Sequence, residues 1–216
     1  ENAMTNLNRR NFLGFTSAFI GSAVAAPAFA TPSTTEKWDM TTDIVIVGAG
    51  GAGLAAAAQA GLLGVKCIVL EKEPVVGGSS VICGGKWAVS GSELQIKQGV
   101  KDSEELFVKD MMDCGMQKND LEVVKAYVKE NNETWKWVHT VGKIEPLALN
   151  MAGGQSVPRS LVVKPGQVIE FLRKTATDKG AQIMTRVKAE RLLWDNKSNR
   201  ICGVKASRRG KTITIR

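Results

Sequence analysis

The sequence predicts an α/β fold with a parallel βαβ start, a helical insertion and a closing antiparallel β-meander. Three observations predict it. A hydrophobic strand at residues 43–47 runs into the glycine turn Gly48-Ala49-Gly50-Gly51-Ala52-Gly53, and the alanines of 55–58 continue as a helix. A second apolar run, Cys67-Ile68-Val69-Leu70, ends on the acid Glu71. Close to the C-terminus, residues 200–207 and 211–216 alternate in polarity around Arg209-Gly210, as two hairpin strands do.

The order strand, glycine turn, helix, strand, acid is what a Rossmann-like fold needs to hold the diphosphate of a dinucleotide. Gly48 allows the tight turn out of the strand. Gly50 lets backbone approach phosphate, and Gly53 lets the helix lie close to the sheet. The free N–H groups of the first helical turn then face the anion. Glu71, 18 residues beyond Gly53, stands where a carboxylate accepts hydrogen bonds from ribose hydroxyls. The fingerprint alone does not separate FAD from NAD. The loop after Glu71, with Gly77-Gly78-Ser79-Ser80 and Cys83-Gly84-Gly85, favours a ligand that continues toward a second flat ring system. Small residues admit such a ring close to backbone, and serine hydroxyls bond its heteroatoms.

Between these ends, Asp102 and Glu105 read as a capping box opening a helix that runs to Cys114 and stops at Gly115. A second helix opens at Asn119 or Asp120 and reaches Thr140. Leu121, Val124, Val128, Trp135 and Val138 form its apolar face. Trp135 and Trp137 read as packing residues, and His139, the sole histidine, complements the helix C-terminus. Residues 153–159 form a polar glycine-rich loop. Residues 166–178 read as a helix, and 183–187 and 191–194 as strands.

Glu71-Lys72, Gly77-Gly78-Ser79-Ser80 and Gly84-Gly85 resemble the FAD-binding segments of the fumarate reductase/flavocytochrome c flavoproteins. That group includes urocanate reductases and ketosteroid dehydrogenases. Residues 102–110, 119–125, 135–142 and 153–159 are similar to the same group, so the resemblance spans roughly Thr41 to the C-terminus. It implies an FAD-dependent oxidoreductase that reduces an activated C=C bond of a small unsaturated acid, with an external electron donor such as a cytochrome. The implied cofactor contacts are Gly48 to Gly53, Glu71, Lys72, Gly78, Ser79, Ser80, Gly84, Gly85 and the backbone of Val187. Cys83 is a contact or a filler in the same loop. Ser156 and Arg159 are candidates for the substrate side, since a guanidinium presents a planar donor fork. The FAD is expected to be non-covalent, because Ser79-Ser80-Val81 offers no histidine for attachment. The resemblance further implies a capping domain with the proton-donating residues beyond Arg216. A non-catalytic FAD-binding fragment, or one part of a split enzyme, is therefore the alternative.

The first 30 residues read as an address. Glu1-Asn2-Ala3 precede Met4 as a non-native extension. Arg9-Arg10 then lead a mildly apolar run to Ala28-Phe29-Ala30, the pattern of a twin-arginine export signal cleaved after Ala30. This predicts a periplasmic protein with its FAD-binding domain at 31–216. The run is too short and too rich in small residues for a membrane span, which needs about 20 apolar residues. Hydrophobic residues make up 44% of the 216-residue chain, enough for a core. The net charge of +8 is scattered without an aromatic–basic stripe, which argues against nucleic acid. The cysteines at 67, 83, 114 and 202 lack CxxC spacing, and one histidine cannot build a zinc site.

Overall fold

The computed structural model describes residues 37–216, so the segment expected to be an export signal lies outside the described residues. The chain order is β1 (Ile44–Val47), α1 (Gly51–Leu62), β2 (Cys67–Leu70), α2 (Gly78–Val81), β3 (Lys86–Ala88), α3 (Glu93–Lys97), α4 (Glu104–Cys114) and α5 (Leu121–Thr140). It continues through β4 (Ala148–Asn150), β5 (Ser160–Val162), α6 (Pro165–Asp178), β6 (Gln182–Met184), β7 (Val187–Asp195), β8 (Arg200–Arg208) and β9 (Lys211–Ile215).

The strands form three sheets. The first is parallel, in the order β1-β2-β6, with Ile44 opposite Cys67 and Ile68 opposite Gln182. All four residues of β2 are buried, as expected of a central parallel strand covered on both faces. Side chains alternate across a strand, and the two faces of β2 feed two different cores. Cys67 and Val69 pack with Leu54, Ala57, Ala58, Leu172 and Ala176 of α1 and α6. Ile68 and Leu70 pack with Val187, Val204, Ala206 and Ile215 of the antiparallel sheet β7-β8-β9. Burying each such side chain stabilises by about 1.5–3 kcal/mol.

The alanines of α1 let α6 approach closely. At Gly61 a Cβ would fall 2.5 Å from the Lys179 Cβ, so even alanine there is too large. The meander turns at Arg209-Gly210, both left-handed at φ 48° and 77°, as a tight hairpin requires. The run 183–187 is two elements, not one strand. Thr185-Arg186 break it, and Val187 opens β7, which continues past a register shift at Ala189/Arg191 as a single strand to Asp195.

The helical insertion begins one residue later than its capping box suggests. Ser103 is the N-cap of α4, its Oγ accepting from Leu106 N at 3.1 Å. In α5, Asp120 caps Glu122 N and Val123 N. Val124, Val128, Trp135 and Val138 are buried as their spacing requires, whereas Leu121 is exposed. The third sheet, β3-β5-β4, packs under α5 around Val89, Trp135, Val138, Leu161 and Val163. His139 stacks on Trp135, its Nδ1 3.0 Å from Ile144 O.

Asp102 is free of capping because Arg159 claims it. The Arg159 side chain is 0% exposed; its Nε and Nη2 donate to Asp102 at 3.0 and 2.8 Å, and it lies 4.6 Å from the Phe107 ring centre. Nη1 sits 2.8 Å from Asp110 Oδ2, an ionic contact without the alignment of a hydrogen bond. Ser156 gives Asp110 both its N–H, at 2.8 Å, and its Oγ–H. Of the expected substrate pair, Arg159 is thus turned inward, while Ser156 is exposed but commits its N–H and hydroxyl to Asp110, and together they fasten the β4–β5 connection onto α4. A guanidinium among buried carboxylates finds better partners there than in an open pocket.

Removing one member leaves uncompensated buried charge, at a cost of about 3–5 kcal/mol. Arg159→Ala is expected to lower unfolding free energy by that amount in a urea titration. Burial raises the Asp110 carboxyl, but its bonds from Ser156 and the Arg159 charge outweigh this and hold it below its ordinary 3.8. Its contribution is complete above that value and is lost as pH falls through the lower folded one. Stability of the parent should therefore drop on acidification below about pH 4, and Asp110→Asn should flatten that drop.

Candidate functional site

The C-terminal ends of β1, β2 and β6 converge, the place where open α/β sheets bind ligands. β1 ends at Gly48, left-handed at φ 98°, whose N–H donates to Leu70 O at 2.8 Å. The chain then enters α1 at Gly50. Gly53 must lack a side chain here, since a Cβ would fall 1.9 Å from Gly48 O.

Two sets of bonds fix this turn. On one side Glu71, 7% exposed, accepts Ala49 N on Oε2 and Glu73 N on Oε1, each at 2.8 Å. On the other, Gly77 N donates to Ala49 O at 2.8 Å and Gly51 N to Ser80 Oγ at 3.2 Å. Gly50, the N-cap of α1, brings no side-chain cap and the first turn carries no acidic residue, although the Gly51 N–H is taken by Ser80. Ala52 is exposed there. The leading N–H groups of a helix have no intrahelical partner, so this end of α1 is open to an anion and unfavourable to a cation. The arrangement fits a dinucleotide diphosphate.

The remaining expected residues divide by exposure. Lys72, Gly78, Ser79, Cys83 and Gly84 are exposed around the turn, with Lys72 Nζ 3.8 Å from Glu73. The Ser80 hydroxyl accepts from Gly51 N–H and so braces the turn. Gly85 is buried, and a Cβ there would fall 2.2 Å from Val163 O. Cys83, Ser80 and Gly85 also border a cavity of about 270 Å³ lined by Trp87, Trp137, Ile169 and Leu172. Val187 is buried with its N–H donated to Glu71 O at 2.8 Å, which leaves that donor unavailable to an adenine. Sequence reasoning missed Arg186, whose N–H donates to Glu73 O at 3.1 Å at the edge of the same crevice.

Cys67 is buried, which pushes its thiol up from the ordinary 9.0. All four cysteines are free. Among the described residues no group of acids, cysteines and histidine is placed to hold a metal ion, and no helix is long and apolar enough to cross a membrane.

Comparison with known proteins agrees with this geometry. The family model described as FAD binding domain matches residues 43–216. The acrylate reductase flavoprotein subunit of Shewanella woodyi is 32% identical over 205 residues, covering 92% of this chain and 40% of that protein. The fumarate reductase (cytochrome) of Shewanella frigidimarina is 31% identical over 162 residues, covering 73% of this chain and 28% of that protein. The open conformation of a flavocytochrome c3 fumarate reductase superposes with a TM-score of 0.76 at 27% identity, over 82% of this chain and 32% of that one. The chain thus spans two fifths or less of the length of these relatives. From the glycine turn to the meander that closes behind β2, the chain belongs to the FAD-binding domain family, with acrylate and fumarate reductase flavoproteins among its relatives.

Proposed function

We propose that this chain holds, without a covalent link, the FAD of a reductase acting on the activated C=C bond of a small unsaturated acid. The observation that carries the reading is the N-terminus of α1, which has no cap from its own N-cap residue Gly50 and is fixed from its two sides by Glu71 and Ser80. The N–H groups of Ala52 and Gly53 hold the diphosphate. Glu71 uses its remaining lone pairs for the ribose while keeping Ala49 in place, and the exposed loop of Gly78, Ser79, Cys83 and Gly84 borders the flavin. FAD when bound supplies the hydride for such a reduction. The reductase names of the relatives support the substrate class. The electron donor is an external carrier such as a cytochrome.

A second reading, an FAD-binding unit whose proton donor lies on another segment, is favoured by one observation. Among the described residues, His139 is bonded to Ile144 O and Arg159 is sealed by two aspartates, so neither is free to serve. The purified chain should be yellow, with all flavin released to the supernatant by acid precipitation; flavin in the pellet would contradict the non-covalent reading. Chemically reduced under anaerobic conditions, the protein should be reoxidised by acrylate, fumarate or urocanate. Absence of reoxidation by any unsaturated acid, with flavin bound, selects the second reading.

Glu71→Ala removes the ribose acceptor and orphans the Ala49 N–H. FAD affinity should fall by one to two decades, roughly 1.5–3 kcal/mol, while Glu73→Ala, which keeps its backbone bond to Glu71, should change little. Fluorescence titration with FAD distinguishes the two. Delivery to the periplasm by the twin-arginine route is also proposed, on Arg9-Arg10 and the small residues before Thr31. Changing both arginines to lysine should retain the precursor in the cytoplasm, and unchanged delivery on fractionation would reject that route.

A further inference from the structure

We infer that Arg186 is a further positioning residue of the site, its guanidinium closing over the ADP half of the bound dinucleotide. The inference rests on the FAD site proposed above. Arg186 occupies the turn between β6 and β7 at φ 56°, a left-handed conformation that L side chains rarely adopt. Glycine fills the left-handed positions Gly48 and Gly77 of the same crevice, and glycine at 186 would suit the turn better. A side chain kept in a disfavoured conformation beside a binding crevice is a mark of function.

The surroundings say which part of the ligand it meets. Residues 184–187 are zipped to 71–73: Glu71 N donates to Met184 O at 2.9 Å, Arg186 N to Glu73 O at 3.1 Å and Val187 N to Glu71 O at 2.8 Å. Arg186 is therefore anchored within two residues of the carboxylate that holds Ala49. Its side chain is exposed, and no carboxylate pairs with it among the described residues. An unpaired planar cation at that place matches the two things an ADP group offers, an aromatic face and phosphate oxygens.

Arg209 provides a built-in control. It is also an exposed left-handed arginine, at φ 48°, but it sits in the β8–β9 hairpin turn. Arg186→Gly and Arg209→Gly thus remove the same charge and relieve the same backbone conformation. The full chain is titrated with FAD, and bound FAD is then competed with ADP. Arg186→Gly should weaken both ligands about tenfold with an unchanged or higher melting temperature, and Arg209→Gly should bind both as the parent does. Parent-like binding by Arg186→Gly would overturn the inference, as would an equal loss in Arg209→Gly. Should ADP fail to displace FAD from the parent, the placement of the dinucleotide itself falls, and Arg186 with it. Should ADP compete normally while Arg186→Gly is parent-like, only the role of Arg186 falls.

Discussion

The Glu71 carboxylate is the interaction on which the site depends. It ends a strand whose four residues are all buried, so it enters the crevice from a rigid base. One oxygen takes the N–H of Ala49 and the other that of Glu73. The first bond fixes the turn into α1, and the second folds the following loop back beneath it. That loop then returns Gly77 and Ser80 to the opposite side of the same turn. The open helix N-terminus is thus a product of bonds made around it. Without them an uncapped glycine turn would be among the least ordered parts of a chain, given the conformational freedom of glycine.

The two faces of β2 explain why the crevice stays in place. Val69 faces α1 and α6, while Leu70, its neighbour, faces the meander. A one-residue slip in pairing would exchange those faces, and neither core would accept the other's shape. The meander also sends Val187 back to Glu71 through a backbone bond, which ties the sheet packed behind β2 to the carboxylate in front. Binding-site geometry and core packing are here the same set of contacts seen from two sides.

Much of this was legible in the sequence, because the signals were local. The glycine turn, Glu71, the Asp120 cap of α5 and the Arg209-Gly210 hairpin each announce themselves within a few residues. The strands β3, β4 and β5 span three residues each, too few for a period-two pattern to register. Asp102 misled for a related reason. Followed by Glu105 it satisfies a capping rule, but Ser103 caps equally well and Arg159, 57 residues away, binds both Asp102 oxygens. Arg159 and Ser156 were read as ligand-facing because a polar loop offers no local hint of buried carboxylates. The bond of Ser80 to the Gly51 N–H at the start of α1 was not legible either, because backbone partners leave no trace in side-chain patterns.

The Arg159 network has a kinetic consequence. Its bonds join positions 57 and 46 residues apart in the chain, so making them closes long loops whose entropy must be met before any contact rewards it. Contacts that form only after the folding barrier is crossed slow unfolding more than they speed folding. If those around Arg159 form that late, the aspartates that seal it act as a latch, which sets how long the folded domain persists rather than how quickly it is reached.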